Sequence, residues 1–341
     1  MAKHKIIDIF SGCWWLSYWF EQTNKFKTVL AIDIRDKALE TIKKNKGNID
    51  ILQKDLSKFE DQEIINIKKK YKDIKVVVWW PPCQWFSQAG QRNSKDPRNE
   101  LYKSYINFIK IINPEWFVFE NVFWLMNMKT KDWTKFIDNI LNDFKKLWYT
   151  IKLNLISSKD FWVPQDRKRV IIIGNRLWIT VPELKPTTKI YKTVRDSIWD
   201  LEILESWEKS DTDPYHFSLY HSEKHIKRLK DVPEWCSAHD FKHITWMSAK
   251  WYKTTYKRIY RDRPSPTITT CFSSISSQNN VHPSSTRALT IREAMRIQTF
   301  PDGFIFSWSY RDIRTQIWNA VPPLLGKEIA LQLLDFFELS I

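Results

Sequence analysis

The chain has 341 residues, enough to bury a hydrophobic core in one large domain or two moderate ones. Its 54 Lys and Arg against 39 Asp and Glu leave a net charge of +15, which favours a polyanionic partner such as nucleic acid, although a basic surface that only aids solubility has the same charge. Four cysteines without a C-x-x-C pair predict a reduced chain with no structural metal. No targeting leader or membrane span is recognisable, so we expect a cytoplasmic protein.

The first half alternates short apolar strands with amphipathic helices. Strands are predicted at 5–10, 28–33, 74–80, 116–120, 149–156 and 170–174. The apolar face of a connecting helix is formed by Leu101, Tyr105, Phe108, Ile109 and Ile112. This β-α-β alternation predicts an α/β fold, with a parallel sheet covered by helices on both faces.

The regular alternation fades after residue 177 into a polar region rich in His, Tyr and Lys. Helical periodicity returns at 291–298 and at 324–337. We therefore predict a first domain over 1–178, a smaller second domain over 179–281, and a C-terminal segment over 282–341 that returns to the first domain.

Four short strings carry side chains suited to chemistry. P-P-C-Q at 81–84 follows the third predicted strand, where α/β sheets bind ligands, so Cys83 is either a nucleophile or a small buried hydrophobe. F-E-N-V at 119–122 ends the next strand, and its carboxylate could cap a helix or contact a substrate ring. Q-D-R-K-R at 165–169 could hold a base or phosphate, or form a solvated turn. N-A-V-P-P at 319–323 precedes the last predicted helix.

The order of the strings is more informative than any one of them. F-S-G at 10–12 comes first, then P-P-C-Q, E-N-V, Q-x-R-x-R, R-E-A-x-R-I-Q-x-F-P at 292–301, and N-A-V-P-P. In this order the chain resembles cytosine-5 DNA methyltransferases of bacterial restriction-modification systems, over 1–178 and 282–341. The resemblance implies a Rossmann-like catalytic and cofactor-binding domain that uses S-adenosylmethionine, with 179–281 as the target-recognition domain.

The resemblance also implies a mechanism and its catalytic residues. A methyl group passes from S-adenosylmethionine to carbon 5 of a cytosine that has been flipped out of duplex DNA. Cys83 is then the thiolate that adds to carbon 6 of the ring. Glu120 contacts ring nitrogen 3, with a carboxyl group that is protonated or shares a proton. Arg167 and Arg169 hold the base and its backbone, Arg169 on the ring side.

Cofactor and DNA contacts carry over by position. The implied cofactor-binding residues are Phe10, Ser11, Gly12, Asp33, Ile34, Asp55, Pro81, Leu101, Asn319 and Val321. Asp33 matches the acid that takes the ribose hydroxyls and Asp55 the residue near the adenine amino group, while a helix N-cap is the alternative for both. Core packing is the alternative for Leu101. The implied DNA-binding residues are Gln84, Ser87, Gln165, Arg258, Arg261 and Arg263.

Departures from the family pattern share one feature, which is tryptophan where the family has glycine. The chain contains 6 glycines and 19 tryptophans, whereas glycine averages about 7% of residues. The replaced positions are Trp14, Trp15, Trp19, Trp79, Trp80, Trp85, Trp124, Trp148, Trp162 and Trp318. Since glycine permits positive φ and close approach to a ligand, indoles there should obstruct the cofactor and the nucleophile loop. We hypothesise that the source reads UGA as glycine and that these codons were translated as tryptophan; the alternative is an altered, inactive protein.

Two other functions stay open. A non-catalytic DNA-binding protein would keep the basic cleft without binding the cofactor, but the retained Cys83, Glu120, Arg167 and Arg169 favour an enzyme. A transfer-RNA cytosine-5 methyltransferase would share the motifs, but a recognition region as long as 179–281 favours a DNA target. We further expect a monomer, and a cognate restriction endonuclease encoded nearby is a possible partner.

Overall fold

A computed structural model describes residues 3–13, 16–79, 98–129, 134–241, 254–276 and 281–338. The strands are β1 (His4–Ile9), β2 (Phe26–Asp33), β3 (Asp50–Gln53), β4 (Ile74–Trp79), β5 (Trp116–Val122), β6 (Thr150–Ser157), β7 (Gln165–Asp166), β8 (Lys168–Asn175) and β9 (Ser265–Pro266). The α-helices are α1 (Ser17–Glu21), α2 (Asp36–Lys46), α3 (Asp61–Lys70), α4 (Arg98–Ile112), α5 (Phe136–Lys146), α6 (Arg195–Ile198), α7 (Glu223–Leu229), α8 (Ile291–Ile297), α9 (Tyr310–Asn319) and α10 (Pro323–Glu338). Short 3-10 helices span Leu56–Lys58, Phe123–Asn127 and Ser158–Phe161.

The chain divides into two compact units. The first consists of Met1–Ser157, Lys168–Pro186 and Leu325–Ile341, and the second of Ser158–Arg167 and Thr187–Leu324. In this division residues 282–324 pack within the second unit, so the C-terminal return to the first unit starts at Leu325 and not near residue 282. Within the described ranges, no helix combines the length and the apolar character that crossing a membrane requires.

A seven-stranded sheet forms the centre of the first unit, in the order β3-β2-β1-β4-β5-β8-β6. Strands β1 to β5 pair in parallel, whereas β8 pairs antiparallel with both β5 and β6. The predicted α/β fold and the six predicted strands are confirmed, but the sheet is mixed, not parallel throughout. The sequence pattern missed β3, because this four-residue edge strand has no buried residue and therefore no clear apolar signal.

Helices cover both faces of this sheet. On one face, alternate residues such as Ile7, Val77 and Phe117 join a core cluster with side chains of α3, α4 and α5. On the other face, Trp116 packs against Phe337 of α10, and a smaller cluster includes residues of α2. Each fully buried large apolar side chain stabilises the fold by about 1.5–3 kcal/mol, so packing between the sheet and these helices contributes strongly to the unit's stability.

Buried charged groups organise the second unit beside a small apolar cluster. The guanidinium of Arg287 donates to both carboxylate oxygens of Glu293, at 2.7 and 2.8 Å, and both side chains are buried. Thr290 and Glu293 form a reciprocal capping box at the start of α8. Burial opposes ionisation of Glu293, but the charge of Arg287 outweighs it and lowers the pKa of Glu293 to about 2.

Two buried histidines accept hydrogen bonds from backbone amides of the second unit. Ala288 N donates to His221 Nε2 at 3.2 Å, and Ser285 N donates to His282 Nδ1 at 2.9 Å. Burial lowers the pKa of each ring from 6.5 to about 4. Both rings therefore stay neutral in the folded protein near neutral pH, and protonation of the accepting nitrogen would remove the bond.

Replacing His221 by Gln should flatten the pH dependence of stability between pH 6.5 and about 4. Below pH 6.5 the unfolded chain binds a proton at this residue that the folded chain does not bind until about pH 4. The free energy of unfolding therefore falls as the pH drops through this window. Urea midpoints across it measure the slope; the exposed control Lys230→Gln should keep the parent slope, and an unchanged slope in His221→Gln would contradict the assignment.

Candidate active site

The first residues predicted to bind the cofactor lie at one edge of the sheet of the first unit. Phe10, Ser11 and Gly12 follow the end of β1, and Asp33 ends β2. β4 ends at Trp79, beside the ends of β1 and β5. Since the carboxyl ends of parallel strands meet at the same edge, this is where an α/β sheet binds its ligands.

The turn after β1 is held by β2. Ser11 N donates to Ile32 O at 3.0 Å, and Gly12 N donates to Asp33 Oδ2 at 2.8 Å. Phe10 and Gly12 have φ values of 56° and 54°. Ser11 Oγ is buried, and within the described residues it has no hydrogen-bond partner. The turn therefore presents a polar atom that a bound ligand would satisfy.

Asp33 and Asp55 occupy different environments. Asp33 is buried, and its second oxygen accepts from Arg35 N at 2.8 Å and lies 3.3 Å from Arg35 Nε. Gly12 N, Arg35 N and Arg35 Nε together occupy three of the roughly four acceptor positions of the Asp33 carboxylate. One acceptor position is then left for a ligand. Asp55 is the N-cap of the 3-10 helix Leu56–Lys58 and accepts from Ser57 N, as the capping alternative predicts. Ile34, between these elements, is 53% exposed.

Glu120 and Arg169 form a buried ion pair. Arg169 Nε lies 2.7 Å from Glu120 Oε1, and the two side chains are only 9% and 2% exposed. Glu120 is near the end of β5, and Arg169 is near the start of β8. Because β8 is antiparallel to β5, with Val122 opposite Arg169, both residues reach the edge at which β1 and β4 also end.

Arg167 and Gln165 are buried within the second unit. Arg167 donates from Nη2 to Trp318 O at 3.0 Å and from its backbone nitrogen to Ser158 Oγ. Gln165 Nε2 donates to Gln298 Oε1 at 2.9 Å, and Gln165 Oε1 accepts from Ile268 N. Gln165 has no exposed surface. We therefore correct its predicted role from DNA contact to a structural link between segments of this unit.

The N-A-V-P-P string begins at the last residue of α9. Asn319 is the last residue of that helix, and its Nδ2 donates to Thr315 O at 2.9 Å. Val321 is fully buried. The carbonyl that binds Arg167 belongs to the residue just before Asn319, so two of the predicted strings meet in the second unit.

The three arginines predicted to contact DNA are not equivalent. Arg258 is 3% exposed, and its guanidinium donates to carbonyl oxygens of the residues Leu229, Val232, His282 and Ser285. These bonds close several loops around one side chain, so we correct Arg258 from a DNA contact to a structural residue. Arg261 pairs with Glu234 and is partly exposed. Arg263 is exposed and lies over the rings of Tyr260 and Trp235.

Several predicted site residues lie outside the described residues. These are Cys83, Pro81, Gln84 and Ser87. Leu101 lies within α4, but its side chain is outside the described part. Cys83 comes four residues after Trp79, the end of β4, so its proposed role rests on the sequence string and on where β4 ends.

Sequence reasoning missed two groups of buried polar residues. Asp8, on β1, accepts a 2.5 Å hydrogen bond from Ser17 Oγ, and both are buried. The signal was available, since Asp8 is the single charged residue of the string I-I-D-I-F at 6–10. Gln298 joins Gln165 to Ile317 O, a link between distant segments that the local sequence does not reveal.

Comparison with known proteins gives consistent matches. The family model for C-5 cytosine-specific DNA methylase matches residues 4–335. The type II methyltransferase M.DdeI of Desulfomicrobium norvegicum is 30% identical over 98% of this chain and 89% of its own. M1.HphI of Haemophilus parahaemolyticus is 32% identical over 95% and 85%. A structure titled as a prophage-encoded DNA modification methyltransferase of E. coli matches 98% of this chain and 100% of its own, with a TM-score of 0.77 at 22% identity.

Replacing Arg258 by Met should lower the free energy of unfolding by about 3 kcal/mol or more, because several buried carbonyls lose their donor. The same change at the exposed Arg263 should alter it by less than about 0.5 kcal/mol. Urea unfolding of both variants measures the difference. Equal effects would show that the carbonyl bonds of Arg258 do not stabilise this unit.

Proposed function

Because the chain belongs to the C-5 cytosine-specific DNA methylase family, we propose that it methylates carbon 5 of a flipped-out cytosine in a specific duplex DNA sequence, as the modification enzyme of a restriction-modification system. The names of the related type II methyltransferases support this assignment. The observation that carries it is the Glu120–Arg169 pair at the edge where β1 and β4 also end. The enzyme is a methyltransferase, and its cofactor is S-adenosylmethionine.

The first unit has groups that fit this cofactor. The buried Ser11 Oγ and the turn at Phe10–Gly12 would hold its methionine part, and the remaining acceptor position of Asp33 would take a ribose hydroxyl. The other residues that we propose for cofactor binding, from the motifs of the sequence, are Ile34, Asp55, Pro81, Leu101, Asn319 and Val321. When bound, the cofactor supplies an electrophilic methyl group. The chain's task is to make carbon 5 of cytosine nucleophilic.

Cys83 would perform that activation. Its thiolate adds to carbon 6 of the ring, which forms a carbon–sulfur bond and moves an electron pair toward carbon 5. Carbon 5 would then form its new bond to the methyl carbon as the bond from that carbon to the sulfonium sulfur breaks, which would leave S-adenosylhomocysteine as a neutral thioether. Carbon 5 would next lose its proton to a base. The electron pair returns to the ring as the carbon–sulfur bond breaks, and Cys83 leaves as the thiolate.

Glu120 would stabilise the ring during the addition. The guanidinium of Arg169 favours the negative carboxylate at a distance of 2.7 Å. Of the two states expected from the sequence, a protonated carboxyl or one that shares a proton, this pairing supports a carboxylate that shares the proton of ring nitrogen 3. Arg169 would therefore orient Glu120. Arg167 would hold the segment that precedes Arg169, because Arg167 Nη2 donates to Trp318 O.

DNA binding would come from the exposed basic residues, not from the buried ones. Arg261 and Arg263 remain as proposed contacts of the second unit, and Gln84 and Ser87 as contacts near the flipped base. We assign target recognition to residues 179–281 and propose that a monomer acts with a cognate endonuclease encoded nearby. The net charge of +15 suits binding along a phosphate backbone.

Duplex DNA carrying fluorine on carbon 5 of the target cytosine should trap the enzyme covalently. After methyl transfer, carbon 5 must lose its other substituent as a cation before the bond to Cys83 can break. Fluorine cannot leave as a cation, so Cys83 stays covalently bound to the DNA. The protein is produced with its codons read as in the source organism, and denaturing electrophoresis detects the adduct. Cys83→Ala should abolish it, whereas the matched control Cys271→Ala should retain it.

An adduct that survives in Cys83→Ala would contradict the assigned nucleophile. Methylation of unmodified duplex DNA without any trapped adduct would contradict the covalent route. If transfer RNA is methylated in preference to duplex DNA when the two compete, the DNA assignment is wrong. If neither nucleic acid is methylated but duplex DNA is bound, the chain is the non-catalytic DNA-binding protein.

Arg263→Met should weaken binding of duplex DNA at all sequences and reduce the slope of log K against log salt by about one. Arg258→Met, compared under conditions where it remains folded, should keep the parent slope, because its guanidinium is bonded to carbonyls. Fluorescence anisotropy at several salt concentrations measures both slopes. A reduced slope in Arg258→Met alone would reverse the two assignments.

A further inference from the structure

Six tryptophans of the described residues have a left-handed backbone. They are Trp148, Trp162, Trp178, Trp207, Trp235 and Trp308, with φ between 61° and 85°. They make up half of the twelve non-glycine residues with positive φ in the described ranges. Asparagine and aspartate are the residues that ordinarily tolerate this region besides glycine, whereas a bulky side chain there is strained.

The hydrogen bonds around Trp148 show which residue this backbone requires. Trp148 is the second residue after α5, and its nitrogen donates to Lys145 O at 2.9 Å. Tyr149 N donates to Phe144 O at 3.2 Å. This pair of bonds is the Schellman motif that ends helices, and its left-handed position is usually glycine.

Two further positions are central residues of tight turns. Glu208 N donates to Glu205 O, and Trp207 is the third residue of that turn, with a φ of 72°. In a second turn Cys236 N donates to Pro233 O, and Trp235 is the third residue of that turn, with a φ of 64°. A type II turn requires positive φ at its third residue, where glycine is strongly preferred.

These indoles gain little from burial. All six are exposed, between 38% for Trp162 and 73% for Trp207. An exposed indole offers little hydrophobic compensation for a strained backbone. By contrast, Trp116 is fully buried within β5 and has an ordinary strand backbone.

We propose that the functioning protein carries glycine at Trp148, Trp162, Trp178, Trp207, Trp235 and Trp308. Four of these, at 178, 207, 235 and 308, lie outside every motif from which a family glycine was inferred, so the backbone supports the codon hypothesis independently of the resemblance. Trp116 and Trp199 do not have positive φ, so the backbone gives no reason to replace either of them by glycine. The inference does not depend on the proposed catalytic function.

Trp235 and Trp199 provide a matched test. Both are 42% exposed and both lie under two cationic side chains, but the φ of Trp235 is 64° and that of Trp199 is −77°. Each is changed to Gly and, separately, to Ala, and the Tm is measured. Comparing Gly with Ala at one site removes the effect of the lost indole.

The expected result is opposite in sign at the two sites. Gly should give a Tm higher than Ala by a few degrees at position 235, because Ala is strained at positive φ. Ala should give the higher Tm at position 199, because Gly loses more backbone entropy there. An Ala variant as stable as the Gly variant at position 235 would overturn the inference. So would a peptide from the native protein with the mass of tryptophan at position 235.

A second inference concerns Asp8, and it rests on the proposed cofactor role of the turn at Phe10–Gly12. Asp8 lies on β1, two residues before the turn, and Ser17 lies at the start of α1, after it. Their side chains are 2% and 0% exposed and share the 2.5 Å hydrogen bond. Burial raises the pKa of Asp8 to about 7.

We infer that Asp8 is a positioning residue for the cofactor turn. Its bond to Ser17 ties α1 to β1, while Asp33 holds Gly12 in the middle of the connection. The two carboxylates thus fix the connection at two points before any ligand binds. A preformed turn binds its ligand more tightly, because less chain entropy is lost on binding.

Asp8→Ala tests this inference by calorimetric titration with S-adenosylmethionine. We expect the Kd and the KM to rise about tenfold, the effect of about 1.4 kcal/mol, with kcat nearly unchanged. Amide exchange at Phe10–Gly12 in the ligand-free protein should become faster. Asp8→Asn, which can still accept from Ser17, should restore the parent values, and Ser17→Ala should match Asp8→Ala.

The outcomes separate the two proposals. A parent protein that does not bind S-adenosylmethionine would contradict the proposed function. If Asp8→Ala binds S-adenosylmethionine with the same Kd as the parent protein, and its amide exchange at Phe10–Gly12 is also unchanged, only the positioning role of Asp8 is overturned. A lower Tm in Asp8→Ala without any change in Kd would assign Asp8 to stability and likewise overturn the inference.

Discussion

The direction of β8 is the constraint on which the site of the first unit depends. Glu120 is a buried carboxylate, and burying a charge is costly unless a partner compensates it. That partner is Arg169, which reaches Glu120 only because β8 enters the sheet beside the end of β5. If β8 ran parallel to β5, Arg169 would lie at the opposite edge, about 20 Å away at the rise of a strand. The charge pair and the mixed sheet therefore require each other.

The same edge requires tight connections, and there the residue identities conflict with the backbone. The turn after β1 adopts positive φ at Phe10 and Gly12. Asp33 accepts a hydrogen bond from Gly12 N within the turn, and Asp8 accepts one from Ser17 Oγ at the start of α1. At Trp148, Trp207 and Trp235 the backbone adopts helix-end and turn conformations that favour glycine, but the sequence has tryptophan there. Six of the twelve non-glycine residues with positive φ in the described ranges are tryptophans, which is what a codon reassignment from glycine would produce.

Arginine has two distinct roles in the second unit, and burial distinguishes them. Arg258 and Arg287 are enclosed, and their guanidinium groups are satisfied by carbonyls or by Glu293. Arg263 extends over aromatic rings at the surface. The planar, multiply donating guanidinium suits both loop closure and phosphate contact. A high arginine content therefore indicates a polyanionic partner only for the exposed members.

The sequence by itself determined the α/β fold and its strands, because apolar runs separated by amphipathic helices are a local pattern. The order of the motifs likewise determined the family, which needs no coordinates. The antiparallel direction of β8, the edge strand β3, and the structural roles of Gln165 and Arg258 came only from the tertiary structure. Each depends on partners far apart in the chain, such as Gln298 for Gln165. The composition suggested that glycine was missing, but only backbone φ angles showed which tryptophans occupy its positions in 179–281, since a side chain's letter does not report its backbone conformation.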